Sequence, residues 1–249
     1  PFNFNDAESI ENVCKKNKLA AIVIEGARAT YPSKEFVKKI NYLKNKYKVC
    51  LVIDEITSGW RERTGGIYQK VGLKPDIVVY GKALGNGYAI SAIVGKKIFM
   101  NKVQDSFVSS TAWTERVGFV SAISTIDYFV KNKVGNSIKK NGKYFLNGWK
   151  KIAKANNLKI NFNEFLAMPS FSFDYGIINE KLHTYFTELM LKKGYLATNG
   201  LSITYAHKKK DIDKYLKNCH EVFKVISKSI KENKIQLKSK IRSTSYQKI

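Results

Sequence analysis

The sequence predicts an α/β protein with a mostly parallel sheet, followed by a smaller α+β part. Two apolar runs, Leu19–Glu25 and Val49–Asp54, each end in an acidic residue. Such continuous runs are typical of strands buried on both faces of a parallel sheet. The helical stripe between them, Ser33–Lys46 with Ser33 as N-cap, completes a βαβ unit. Two shorter runs of the same kind are Ile77–Tyr80 and Ala89–Val94.

The remaining elements follow from apolar spacing. Arg116–Phe129 has the period of a helix, and we expect four of its side chains to face the core: Val117, Val120, Ile123 and Ile126. Further along, the predicted helices are Ser137–Ala155, Glu180–Lys193 and Asp211–Ile230, and the predicted strands are Ser170–Phe173 and Ser202–Tyr205. We therefore expect an α/β domain over 1–134, an α+β domain over 135–230 and a frayed basic tail over 231–249.

Composition excludes several classes of protein. With 249 residues, 44% of them hydrophobic and 12% aromatic, the chain has enough apolar side chains to fold, which argues against disorder. No apolar run approaches the roughly 18 residues that span a bilayer, and the polar, acidic opening predicts no signal peptide. Three scattered cysteines favour a reducing, cytoplasmic setting. The three histidines are unclustered, so we expect them at the surface and expect no metal site.

The net charge of +24 raises the possibility of a nucleic-acid partner. Only 5 of the 44 basic residues are arginines, the side chain that base and phosphate recognition favours. The charges are also spread along the chain rather than clustered. We therefore expect solvated surface lysines and no nucleic-acid partner, and keep a non-catalytic basic binding protein as an alternative from another class.

Polar residues of chemical interest follow the predicted strands. Asp54 ends one strand, and Lys82 follows another within the glycine-rich segment 81–87. Ligands of open α/β sheets bind at this carboxyl edge. A lysine that can bond to an aldehyde, together with an aspartate that can hold a cationic ring nitrogen, suits pyridoxal phosphate. The spacing alone leaves open that Lys82 is an ordinary surface lysine and Asp54 a helix cap.

The stretch LVIDEITSGWRERTGGIYQKVGLKPDIVVYGKALGNGYAISAIVG resembles the signature of class III aminotransferases, which are pyridoxal-phosphate enzymes of fold type I. Upstream, AAIVIEG resembles the family's strand ending in Glu-Pro, with Gly26 in place of the proline. Downstream, SSTAWTERVGFVSAISTI and YLATNGLSITYAHKKKDIDKYL extend the resemblance to about residue 230. The residue pattern is most similar to that of the glutamate-1-semialdehyde aminomutase-like branch, which includes aminotransferases of sugar and surface-polysaccharide pathways.

The resemblance implies specific roles. Lys82 would be the Schiff-base lysine and the base that moves the proton, and Asp54 would pair with the pyridinium nitrogen. Ile56 would pack on the ring. Glu25 and Arg28 are candidates for substrate contact. Ser110 and Thr111 match a segment that reaches the cofactor phosphate of a neighbouring subunit, which implies a homodimer with shared sites acting on a small amino donor and a carbonyl acceptor.

Two departures from the family pattern bear on function. Family members are longer, so we expect this chain to be the C-terminal portion of such an enzyme. Aligned on Ala206-His207, the gating glutamate of the aminomutases corresponds to about Asn199. Loss of that carboxylate favours an intermolecular transaminase, with a glutamate-1-semialdehyde 2,1-aminomutase as the alternative.

Overall fold

A computed structural model describes residues 1–109 and 113–243 of the chain. The chain divides into two units, Pro1–Asn136 and Ser137–Ile249. The helices and strands of the first unit are α1 (Ala7–Lys16), β1 (Ala21–Glu25), α2 (Lys34–Tyr47), β2 (Cys50–Asp54), α3 (Tyr68–Val71), β3 (Ile77–Tyr80), β4 (Ala92–Gly95), α4 (Lys97–Met100) and α5 (Arg116–Lys131). Then follow α6 (Val134–Ala155), which begins just before the division, β5 (Ile160–Asn163), β6 (Ser170–Phe173), α7 (Asn179–Lys192) and α8 (Lys209–Lys231).

The first unit contains the predicted mostly parallel sheet. Its strand order is β1-β2-β3-β4, with the first two pairings parallel. The βαβ unit is confirmed, and the Ser33 hydroxyl accepts the Phe36 N–H at 3.1 Å as the N-cap of α2. The fourth strand differs from the others because it is antiparallel to β3. Only residues 81–91 connect these two strands, fewer than the dozen or more that a parallel crossover needs.

The described helices cover one face of this sheet. Ile22, Ile24, Leu51 and Ile53 are buried with the apolar residues of α1 and α2, and α5 packs on Val78 and Tyr80 of the same face. On the other face, Val23 is 60% exposed and Ile93 is 55% exposed. The expectation that both faces are buried is therefore wrong for the described part of the first unit, where α1, α2 and α5 pack on one face and the other face is exposed at Val23 and Ile93.

Helix α5 also differs from the prediction. Val117, Val120 and Ile123 are exposed, whereas Gly118, Ala122 and Phe129 are buried and Ile126 is partly buried. The Ser121 hydroxyl donates to the Gly85 carbonyl at 2.6 Å. Small residues let the helix approach the 81–90 segment closely, so the small-residue face turns inward and the β-branched face turns outward.

The second unit contains a β5-β6 antiparallel pair against α6, α7 and α8. Aromatic side chains fill its core: Phe145, Trp149, Phe171, Phe173, Phe186 and Phe223. The predicted strand Ser170–Phe173 is confirmed. The predicted strand Ser202–Tyr205 is wrong, since this segment makes isolated backbone bonds such as Ile203 N–H to the Ala167 carbonyl at 2.9 Å. His183 is 3% exposed, so a surface position for it is also wrong.

The expected frayed tail makes specific contacts within its described residues, 231–243. Backbone N–H groups of Lys238 and Ser239 donate to the Glu188 carboxylate of α7 at 2.9 and 2.8 Å. Arg242 pairs with Glu180 of the same helix at 2.6 Å. The Glu188 carboxylate fixes the chain locally because it accepts backbone N–H groups. The Lys- and Ser-rich composition that predicts fraying does not reveal such a contact. No helix of the described residues is long and apolar enough to cross a membrane.

Candidate active site

The open face of the sheet carries the polar residues. Glu25, Asp54 and Val79 pair side by side on β1, β2 and β3. Side chains alternate across a strand, so all three share one face, and it is the face opposite Ile24 and Ile53. Glu25 and Asp54 are therefore neighbours at the carboxyl edge, where ligands of parallel sheets bind.

Asp54 is held in place by backbone groups. Its Oδ1 atom accepts the Ile56 N–H at 2.8 Å, and its carbonyl accepts the Gly26 N–H at 2.9 Å. The family's proline at position 26 would lack that N–H donor. Asp54 is half-buried, so its carboxylate is fixed but still within reach of a ligand.

Lys82 begins the short 3₁₀ helix Lys82–Leu84 just beyond β3. Its backbone φ is 45°, in the left-handed region that costs a non-glycine residue about 1–3 kcal/mol. The exposed side chain donates from Nζ to the Thr57 hydroxyl at 2.9 Å. Such a strained backbone conformation persists only where the surrounding structure fixes it. In this conformation the Lys82 amine points towards the 54–57 segment.

Ile56 lies next to the lysine. A Cβ atom built on Gly81 would be 3.4 Å from Ile56 Cγ2, so this side chain lies over the glycine that precedes Lys82. Asp54, Ile56 and Lys82 are thus brought to one edge of the sheet. Thr57 joins them through its hydrogen bond with Lys82. Sequence reasoning does not find Thr57, because a threonine in a turn has no periodic or strand-end signal.

Glu25 and Arg28 form an ion pair at 3.2 Å, with the arginine side chain 79% exposed. Both line an open, largely apolar groove of about 490 Å³ beside β1, together with Phe2, Phe4 and Val23. Lys82 and Asp54 are not among the lining residues of that groove. Ser110 and Thr111, expected at a cofactor phosphate, lie outside the residues that the structure describes. Within those described residues, no group of His, Cys, Asp and Glu could hold a metal ion.

A family model described as aminotransferase class-III matches residues 3–161. The chain belongs to this family. It is 33% identical to 3-aminobutyryl-CoA aminotransferase of Cloacimonas acidaminovorans, over 76% of this chain and 49% of that protein. Glutamate-1-semialdehyde 2,1-aminomutase of Wigglesworthia glossinidia brevipalpis is 29% identical, over 91% of this chain and 58% of that protein. The chain thus spans about half to three fifths of the curated relatives it matches.

Solved structures have the same fold. The FumI protein of Sphingopyxis sp. MTA144, in its pyridoxal-phosphate internal aldimine form, superposes with a TM-score of 0.86 at 20% identity. The superposition covers 92% of this chain and 58% of FumI. A transaminase with pyridoxal phosphate bound superposes with a TM-score of 0.85. The predicted fold class, fold type I of the pyridoxal-phosphate enzymes, is confirmed.

Proposed function

We propose that the protein is a pyridoxal-phosphate-dependent aminotransferase that transfers an amino group to a keto or aldehyde acceptor. The observation that carries this proposal is the arrangement of Lys82, Asp54 and Ile56 at one carboxyl edge of a class III family sheet. An amine, a carboxylate and an apolar side chain are the groups that an aromatic aldehyde with a basic ring nitrogen requires. The residues present therefore fit the cofactor.

Each residue has a defined task. Asp54, anchored by the Ile56 N–H, would hold a protonated ring nitrogen. Lys82 would bond to the aldehyde and afterwards carry the proton, with Thr57 orienting its amine. Ile56 would cover one face of the ring and exclude water there. When bound, pyridoxal phosphate supplies an electron sink that makes the proton acidic on the substrate carbon that bears the amino group.

A 2,1-aminomutase is the second candidate, since relatives of that name are nearly as similar as the aminotransferase. Asn199 disfavours it. Its Nδ2 donates to the Phe171 carbonyl at 2.7 Å and its Oδ1 accepts from Arg242 at 2.9 Å. A side chain held at both ends within its own unit, without a charge, is poorly suited to a gating role. The two candidates differ in one requirement. An aminotransferase needs a separate carbonyl acceptor for the amino group, whereas an aminomutase needs none.

The wider setting belongs to the same proposal. We propose a small-molecule amino donor and acceptor, a homodimer with shared sites, and a cytoplasmic location; the three free cysteines suit a reducing compartment. None of the relatives named above is named for a sugar, so a sugar-related acceptor is the less supported form of the proposal.

Borohydride reduction in the presence of pyridoxal phosphate tests the function. The purified protein should gain the visible absorbance of the bound cofactor, and reduction should fix the cofactor on the peptide that contains Gly81-Lys82-Ala83. Lys82→Ala should remove both signals while leaving the circular dichroism spectrum unchanged. Lys74→Ala, at a surface lysine of the same unit, is the matched control. Absence of bound cofactor would instead support the basic binding protein.

A further inference from the structure

Glu55 is a buried carboxyl that the proposed chemistry does not use. It follows Asp54 directly and points to the opposite side of the chain, with 0% of its surface exposed. Asp54 and Ile56 on either side of it are only partly buried. The residue between two site residues thus lies entirely inside the protein.

The Glu55 carboxyl joins separate pieces of chain. Oε2 accepts the Ser58 hydroxyl at 2.5 Å, and Oε1 accepts the Tyr68 N–H at 2.8 Å. The backbone of Glu55 is fixed as well, since its N–H donates to the Val79 carbonyl at 2.8 Å. One side chain and its main chain therefore connect the end of β2, the neighbouring strand β3 and the start of α3.

Two glycines leave room for this carboxyl. A Cβ atom at Gly26 would lie 2.4 Å from Glu55 Oε1, and one at Gly66 would lie 2.6 Å from the same oxygen. Any side chain at either position would displace the carboxyl. Since Gly26 is the first residue after β1, Glu55 also packs against the exit of the strand that carries Glu25.

The charge state of Glu55 follows from burial. Desolvation raises the pKa of this carboxyl, and the hydrogen bonds from Ser58 and from the Tyr68 and Ile67 backbones only partly oppose that rise. Within the described part of the chain, no lysine or arginine forms an ion pair with it. Burial without an ion-pair partner therefore shifts this carboxyl towards its neutral form, relative to a carboxyl in water.

We propose that Glu55 is a positioning residue that fixes Asp54 and Ile56 at the sheet edge by filling the space between Gly26 and Gly66. The proposal rests on the function proposed above for Asp54 and Lys82. Its physical basis is the pair of backbone bonds at Asp54. The Gly26 N–H holds the Asp54 carbonyl, and the Ile56 N–H holds the Asp54 carboxylate. Both donors lie within two residues of Glu55 or against its side chain, so loss of the carboxyl loosens both.

The test compares Glu55→Gln, Glu55→Ala and Glu55→Asp. Glutamine is nearly isosteric with glutamate, fills the same space between Gly26 and Gly66 and keeps an acceptor for the Tyr68 N–H, so it should behave like the wild type. Alanine and aspartate should raise the amide exchange rates of Gly26 and Ile56 by roughly tenfold or more, since each loses a hydrogen bond to a buried group. The same two variants should shift the pH transition of the bound-cofactor absorbance and lower kcat more than they raise KM.

Glu62→Gln is the matched control. Glu62 is 1% exposed and lies on the same turn, but it binds Tyr31 at 2.7 Å and Lys70 at 3.0 Å, away from Asp54. The Glu62→Gln variant should have a lower denaturation midpoint, but the pH transition of the bound-cofactor absorbance and the amide exchange rate of Ile56 should not change. If Glu55→Ala and Glu55→Asp behave like this control, Glu55 is only a stabilising residue and the proposal is overturned.

The outcomes separate the two proposals. If the wild type binds no cofactor, the proposed function fails, and the exchange rates of Gly26 and Ile56 alone then decide the role of Glu55. If Glu55→Ala does not fold, Glu55→Asp provides the same measurement with one methylene removed. Unchanged Ile56 exchange in Glu55→Asp would refute the positioning role whatever the activity.

Discussion

At the scale of single residues, the role proposed for Asp54 is electrostatic. Its carboxylate accepts one backbone N–H and stays half-buried, so it is oriented before any ligand arrives. A group that is already oriented costs no reorganisation when charge develops beside it.

Asp54→Asn should therefore lower kcat by roughly 10² or more with little change in KM. Asparagine keeps the acceptor for the Ile56 N–H, so the fold should be unaffected, but it removes the negative charge that a ring cation needs. Steady-state kinetics with the cofactor at saturation measure this. A kcat within a few-fold of the wild type would mean that the carboxylate has another role.

His183 provides a prediction about pH. Burial lowers the pKa of its imidazole to about 4, with the nearby Arg242 adding to the effect and Glu180 opposing it. Because the folded value lies below the usual 6.5, His183 stabilises the fold fully above pH 6.5. That contribution is lost as pH falls from 6.5 towards 4, by about 3 kcal/mol in total.

His183→Leu should remove this dependence. The Nδ1 atom is buried without a hydrogen-bond partner in the described structure, so an apolar replacement of similar size breaks no known bond there. Urea midpoints at pH 7.5 and pH 5 measure the difference. An equal loss of stability in the wild type and the variant would assign the acid sensitivity to other groups.

Residue type made some site residues predictable. Asp54 and Lys82 can be predicted as candidates because a strand-end carboxylate and a lysine among glycines are chemically distinctive. Thr57 and Glu55 cannot, since their contacts depend on how the 56–67 turn folds back, and no local pattern records that. His183 was misjudged for a related reason, because its burial is produced by Phe171 and Phe173 of a neighbouring strand.

At the scale of elements, the strands and long helices follow from apolar spacing, but their orientation does not. β4 has the apolar run of a buried strand, yet the short connection makes it antiparallel. α5 has two apolar stripes, and close packing of Gly118 against the Ala89 carbonyl decides between them; a Cβ there would lie 2.9 Å from that oxygen. Apolar spacing thus leaves open the direction of β4 and the buried face of α5, and the connection length and contacts between residues distant in sequence determine them.

The segment after α8 gives an element-scale prediction. The Glu188 carboxylate accepts the Ser239 hydroxyl and the backbone N–H groups of Lys238 and Ser239, and these bonds hold the pKa of Glu188 below its usual range. Glu188→Ala should raise amide exchange across residues 238–243 by roughly tenfold while changing the urea midpoint little. Glu232→Ala is the control, at the exposed C-cap residue of α8 whose carboxylate pairs with Lys228 at 3.7 Å. Unchanged exchange would show that the segment is held without Glu188, by contacts such as those of Arg242 with Glu180 and Thr184.

At the scale of the molecule, the first unit presents two apolar surfaces. One is the open face of the sheet, with Val23 and Ile93 more than half exposed. The other is the outward face of α5, where Val120 and Ile123 are 62% and 61% exposed. Parallel sheets are ordinarily covered on both faces, and contiguous apolar surface of this kind marks an interaction site or a site of self-association.

A protein of these 249 residues alone should therefore self-associate and bind a hydrophobic dye. The double variant Val120→Lys, Ile123→Glu should shift the sedimentation profile towards a monomer and lower dye binding several-fold, because charges on an exposed helix face resist burial. Val225→Lys, at a single apolar residue of α8 that is 42% exposed, should change neither measurement. A monodisperse monomer that binds no dye would refute this prediction, since the open face of the sheet would then be stable in water as it stands.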